Sequence, residues 1–331
     1  MNLFLPPVIY IYFLVFGTII SISSSSIFGV WLGLEINLMS FIPMITNLDQ
    51  NKKSSEASVK YFLVQSMASA IILFSSLMFV LYPSNLLSFI PSVMITMALG
   101  MKLGMAPFHF WFPETMEGIN WINSMILLTW QKISPLIIMS ILFNPTTLIL
   151  LSLTSAITGA ISGLNQTSLR KILSFSSISH LGWMNSVMYI NNEIWLTYFL
   201  IYSIMSMILC LSFFTLSLNY FQQLIHMNNM SKKIMIFINL LSLGGMPPML
   251  GFLPKWAAIL TLSQNSPILM TLIISSLITL YFYMRLCFST FTLYNPELLW
   301  NHKETNKKMT LLSIMTLISI LSLSPLMYML L

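Results

Sequence analysis

Apolar runs long enough to cross a lipid bilayer recur along almost the whole chain. A crossing helix needs about 20 apolar residues. On that measure the sequence divides into about eleven runs, at residues 3–23, 27–45, 59–81, 86–105, 119–143, 146–164, 172–190, 194–218, 234–262, 267–291 and 309–330. Lipid offers an open backbone no hydrogen-bond partners, and the runs lack the two-residue alternation of a barrel, so helices are required. A soluble domain carries roughly 25% charged residues, whereas this chain of 331 residues carries 7% and is 57% hydrophobic. The expectation is an all-α membrane protein forming a single transmembrane domain over residues 1–331, with no sizeable water-soluble part.

The positions of the basic residues test that division. Lys52, Lys53, Lys60, Arg170, Lys171, Lys232, Lys233, Lys303, Lys307 and Lys308 fall in or beside the connections after runs two, six, eight and ten, and Arg285 lies toward the same side. None falls in the connections after runs one, three, five, seven and nine. Such one-sidedness places the N-terminus on the basic side and the C-terminus opposite. The net charge of +6 therefore reports topology; the basic residues come in ones and twos, which argues against nucleic acid as a partner. Cys210 and Cys287 both lie inside apolar runs at no metal-ligand spacing, so neither a disulfide nor a metal site is expected. The first residues, MNLFLPPVIYIY, carry no basic or Arg-rich leader, and no removable address is expected there. The 27 methionines exceed what soft core packing calls for and would fit a genetic code that reads more codons as Met.

Two runs are built differently. The fourth leads into Gly104-Met105-Ala106-Pro107 with Pro113 beyond, and the ninth contains Gly245-Met246-Pro247-Pro248 with Pro254 beyond. Gly and Pro free backbone groups that lipid cannot satisfy, so both runs are expected to be discontinuous helices covered by protein or water. An offset of five runs makes the two cross in opposite directions. Residues 1–143 and 144–291 can then be laid over each other as an inverted repeat, with 292–331 as a final span. Paired broken helices in inverted halves point to a transport site near the membrane midplane; a chance match in a Met-rich chain is the alternative.

Glu35, Lys102, Lys132 and Lys255 lie within or against these apolar runs. A charge at such depth costs from about 2.5 kcal/mol to 10 or more and marks an ion path by default. The segments WLGLEINLMSFIP, GMKLGMAPFHFWFPE, TWQKISP, LNQTSLRKILSFSSISHLGWM and LGGMPPMLGFLPKW resemble the antiporter-like membrane subunits of mitochondrial NADH-ubiquinone oxidoreductase, respiratory complex I, in their shortened animal form. The same motifs occur in multisubunit cation/proton antiporters. The resemblance runs in order through nearly the whole chain. It implies a proton-translocating subunit of the mitochondrial inner membrane, coupled to NADH oxidation and ubiquinone reduction carried out elsewhere. NADH, FMN, iron-sulfur clusters and ubiquinone would belong to other subunits, and this chain would bind no cofactor. Implied partners are the other membrane-arm subunits of complex I and membrane lipids, cardiolipin among them. An antiporter subunit without redox coupling is the alternative, and a structural subunit with an inactive polar path is a third reading.

In that family a glutamate and a lysine of the first half form a pair, and a central and a distal lysine continue a polar path; the matching positions are Glu35, Lys102, Lys132 and Lys255. In many antiporter-like relatives a glutamate can occupy the distal position; here it is Lys255, which leaves the chemistry of proton exit open. Glu35 opposite Lys102 would act as a switch, or as a static ion pair locking two helices. Desolvation favours an uncharged amine, which makes Lys132 the expected central carrier, the alternative being a lysine bonded to backbone carbonyls. Lys255 would be the distal donor or acceptor, or would snorkel to the far face. His180 could relay between Lys132 and Lys255, or be bonded to a neighbouring serine. His109, Glu114 and Glu117 are expected in a basic-side connection near proton uptake. Arg170 and Lys171 serve topology, with a lipid headgroup or neighbouring subunit as further takers.

Overall fold

A computed structural model describes residues 7–47, 52–81, 89–191, 193–227, 230–247 and 249–292, with Ser313 and Thr316. Pro248 and nearly all of the expected final span, together with Lys303, Lys307 and Lys308, lie outside the described residues. The described elements are helices: α1 (Pro7–Ser23), α2 (Ile27–Asn47), α3 (Lys52–Leu81), α4 (Phe89–Leu103), α5 (Trp111–Gly118), α6 (Trp121–Leu128), α7 (Trp130–Leu142), α8 (Pro145–Ser162), α9 (Leu169–Met188), α10 (Ile194–Thr215), α11 (Phe221–Ile225), α12 (Met230–Gly244), α13 (Phe252–Leu262) and α14 (Ser266–Thr292). They form two compact units, Met1–Thr154 and Ser155–Leu331.

In the first unit α1 and α2 are in backbone contact. A Cβ added to Gly17 would stand 3.0 Å from the Asn37 nitrogen, and one on Gly33 would stand 2.5 Å from the Ser21 nitrogen. Small residues allow this approach, which is how membrane helices gain dispersion energy where lipid supplies no hydrophobic drive. The contact places α2 so that it also meets α3 and α7.

The fourth run extends further than its apolar residues indicate. α4 ends at Leu103, residues 104–110 are irregular, and α5 then forms where a connection was expected. Trp111, Phe112, Pro113 and Met116 of α5 are buried, so this amphipathic turn is held by packing. The broken span is therefore α4 plus α5. The fifth run is divided as well, at Thr129 between α6 and α7. Pro135 has no N–H for the Gln131 carbonyl and its ring crowds that carbonyl, which unwinds the turn before it. The helix restarts with Lys132 N–H donating to Thr129 O at 3.3 Å.

In the second unit every residue of α9 from Ile172 to Met188 is buried. Its serines 174, 176, 177, 179 and 186 each donate to a carbonyl of the preceding turn at 2.7–2.9 Å, which satisfies hydroxyls that lipid or core could not. α12 and α13 form the second broken span, separated by residues 245–251. Between the connections that flank α9 and α11, Leu169 N–H donates to Asn219 O and Phe221 N–H to Thr167 O, both at 3.0 Å. Arg170 donates to Asn219 Oδ1 at 3.1 Å, and Lys233 to Ile225 O at 2.8 Å. These cations tie connections together.

Six described segments are long and apolar enough to cross a membrane: Ile27–Thr46, Lys52–Leu81, Trp121–Leu142, Pro145–Ser162, Ile194–Thr215 and Ser266–Thr292. Val8–Ser23, Phe89–Leu103 and Phe252–Leu262 are shorter apolar helices. The breaks shorten two spans, and the serines of α9 lower its hydropathy.

Candidate functional site

Lys102 occupies the last turn of α4, 7% exposed, and the chain leaves the helix through Gly104 at φ +73°. That conformation costs a side-chain-bearing residue about 1–2 kcal/mol, which glycine avoids. The carbonyls freed by the break are met by uncharged groups. Gln65 Nε2 donates to Lys102 O at 3.1 Å, Trp111 Nε1 to Met101 O at 3.1 Å, and Thr154 Oγ1 to Ala106 O at 3.0 Å. The Lys102 ammonium is thereby left to the interior.

It shares that interior with Lys132. The Lys132 side chain is 2% exposed, and its Nζ sits 5.3 Å from the centroid of the Phe112 ring, a cation–π contact that offsets part of its desolvation. Lys102 and Lys132 line one cavity of about 20 Å³ with Asn37, Gln65, Gln131 and Ser134. A volume of that size holds about one water.

Glu35, half-buried on α2, lies within Coulombic range of Lys102 and of Tyr61. It makes no direct ion pair with Lys102, so the expected contact pair is an open one. A direct ion pair is formed instead by Lys60 Nζ and Glu114 Oε2 at 2.6 Å, both half-exposed. His109, in the connection after α4, is buried beside Phe110.

The second unit holds His180 and Lys255. The Lys255 side chain, 6% exposed, lies in the first turn of α13, and its Nζ donates to Gly244 O at 2.7 Å. The ammonium therefore caps the C-terminus of α12, where freed carbonyls carry partial negative charge. Gly245 has φ +79°, and a Cβ there would stand 2.8 Å from Lys255 Cδ. A Cβ on Gly251 would overlap Ser242 O. Gly251 is required for the close pass of chain over chain, and Gly245 for its positive φ. The His180 Nδ1 and Tyr198 hydroxyl are hydrogen-bonded at 2.9 Å, and the Tyr202 ring lies 5.2 Å from the imidazole, with its hydroxyl in reach of Ser177.

The structure thus brings Lys102 and Lys132 to one cavity, leaves Glu35 in electrostatic range of Lys102, and holds His180 and Lys255 within the second unit. Asn37, Gln65, Gln131, Ser134, Tyr198 and Tyr202 emerge only in three dimensions. Each is a neutral polar side chain inside an apolar run, a signal that ordinary helix-packing residues share. The offset of 141 residues that matches Gly104 with Gly245 also matches Glu114 with Lys255, each the fourth residue of the helix after its break.

A family model described as NADH:quinone oxidoreductase/Mrp antiporter, TM, matches residues 24–280. The chain is 46% identical over 314 residues to NADH-ubiquinone oxidoreductase chain 2 of Anopheles gambiae, covering 92% of each chain. It is 44% identical to the same protein of Locusta migratoria, covering 94% of this chain and 93% of that one. Among solved structures, a chain of respiratory complex I from Thermus thermophilus superimposes with a TM-score of 0.84 at 20% identity, over 95% of this chain and 77% of that one. A chain of the Mrp complex from a Dietzia species gives 0.73 at 16% identity, over 84% and 59%.

Proposed function

Because the chain belongs to the NADH:quinone oxidoreductase/Mrp antiporter transmembrane family, we propose that it carries protons across the mitochondrial inner membrane as a membrane-arm subunit of respiratory complex I. Relatives of 44–46% identity named as NADH-ubiquinone oxidoreductase chain 2 favour this over an antiporter subunit that works without redox coupling. The latter would exchange sodium for protons in vesicles lacking NADH. NADH oxidation and ubiquinone reduction, with their FMN and iron-sulfur clusters, belong to partner subunits. The N-terminus faces the matrix and the C-terminus the intermembrane space, following the placement of basic residues.

The observation that carries the reading is the cavity that Lys102 and Lys132 share. Two amines lining a water-sized space in a protein interior can exchange a proton through it. Glu35 biases the exchange through its field, since it lies in Coulombic range without closing a salt bridge on Lys102. A signal that moves Glu35 toward or away from Lys102 changes which lysine holds the charge. In the second unit His180, held by Tyr198, and Lys255, held by Gly244 O, take the later steps. Moving one charge against 100 mV costs about 2.3 kcal/mol, which distant redox steps supply.

Replacing Lys132 with Ala is expected to slow both proton translocation and coupled NADH oxidation while the complex still assembles. Undiminished translocation in that variant refutes the reading.

A further inference from the structure

Two buried polar atoms at the Lys102–Lys132 cavity have no protein partner. Asn37, 3% exposed, uses its Nδ2 for a long 3.5 Å hydrogen bond to Ser134 Oγ, and its Oδ1 is unpartnered. Gln131 Nε2 is unpartnered too. Both residues line the cavity. Orphaned buried groups are rare, and where polar groups surround a space of about one probe volume, a water ordinarily satisfies them. Here the orphans are complementary, one acceptor and one donor.

We propose that Asn37 and Gln131 are positioning residues that hold one water between Lys102 and Lys132, oriented so that the two lysines share a single proton. The inference rests on the reading of the chain as a proton carrier. Water has two hydrogens and two lone pairs. It donates one hydrogen to Asn37 Oδ1 and accepts from Gln131 Nε2, which leaves one hydrogen and one lone pair for the lysines. An ammonium only donates, and a neutral amine can accept. The remaining lone pair takes an N–H of the charged lysine, and the remaining hydrogen goes to the neutral one. Two ammoniums would turn a water hydrogen toward a cation, so the site rejects the doubly charged state.

Transfer follows from the same geometry. One N–H bond of the charged lysine breaks as an O–H bond forms on the water; the water's other O–H bond, the one aimed at the neutral lysine, breaks as a new N–H forms. One positive charge passes between the lysines, the water is regenerated, and its bonds to Asn37 and Gln131 persist. Without the two amides a water could tumble, and both lysines could point their hydrogens at it.

The test uses the assembled complex with Asn37→Leu, Gln131→Leu and Asn37→Asp, measuring NADH-driven proton translocation, its pH profile, and assembly on native gels. The Leu variants are expected to assemble and to translocate protons about tenfold more slowly, the kinetic equivalent of one lost hydrogen bond in the transfer step. Asn37→Asp keeps an acceptor at the same place. It is expected to restore translocation with an altered pH profile, because its charge tolerates two ammoniums; a purely structural Asn37 would leave the profile unmoved. A density map of the parent complex at a resolution that shows waters is expected to place a peak within hydrogen-bond distance of both Asn37 Oδ1 and Gln131 Nε2. Leu variants that pump at the parent rate overturn the proposal, as does a map in which a lysine Nζ bonds either amide directly. Should the Leu variants not assemble, the map decides. Lys132→Ala separates the levels: if it stops translocation while the Leu variants do not, the water site alone fails, and if it has no effect, the proton-carrier reading fails first.

Discussion

The two broken spans solve the same backbone problem with different groups, and the difference assigns their lysines different work. In the first break the freed carbonyls are capped by Gln65, Trp111 and Thr154, and Lys102, placed before the break, reaches the cavity. In the second, Lys255 comes after the break and is itself the cap on Gly244 O. A lysine relieved of capping can change its charge without loosening the fold. One that caps a helix terminus couples its proton to the geometry of the break, since neutralising it weakens a charge-assisted hydrogen bond. On the proposed function, the first break supports a titrating group without being capped by it, and the second is a joint whose shape depends on one.

The largest effect that would break this comparison is expected at Gly251. A Cβ there would stand 1.8 Å from Ser242 O, so Gly251→Ala should cost about 3 kcal/mol or more through overpacking and lower the amount of assembled complex on native gels. Next comes Lys255→Met, which strips the cap from Gly244 O. A cost of about 1.5–3 kcal/mol should lower the midpoint of thermal inactivation, while Lys102→Met should leave that midpoint near the parent value and still stop proton translocation. Equal thermal losses in the two would erase the distinction. Gly104→Ala should cost about 1–2 kcal/mol from its positive φ, measurable as a smaller drop in the same midpoint. Gln65→Leu, which uncaps Lys102 O with a neutral group, should cost about 1 kcal/mol.

Much of this was legible in the sequence because the bilayer enforces it. Charges in apolar runs singled out Lys102, Lys132 and Lys255, and paired Gly and Pro located both breaks. What was not legible arises where packing overrides hydropathy. α5 follows Gly104 and Pro107 and carries Glu114 and Glu117, so it reads as a connection, yet Trp111, Phe112 and Met116 bury it. The division at Thr129 follows from Pro135 and was available in TWQKISP. Neutral polar residues such as Asn37, Gln131 and Tyr198 do not stand out in a hydropathy pattern, because uncharged groups cross a membrane at modest cost once bonded. Only their convergence on the lysines and on His180 distinguishes them from ordinary helix-packing residues.

The most direct measurement of the central claim is the rate of NADH-driven proton translocation by an assembled complex carrying Lys102→Met together with Lys132→Met. A fall of at least about tenfold, with native gels showing normal assembly, is the predicted result. Translocation at the parent rate would contradict it.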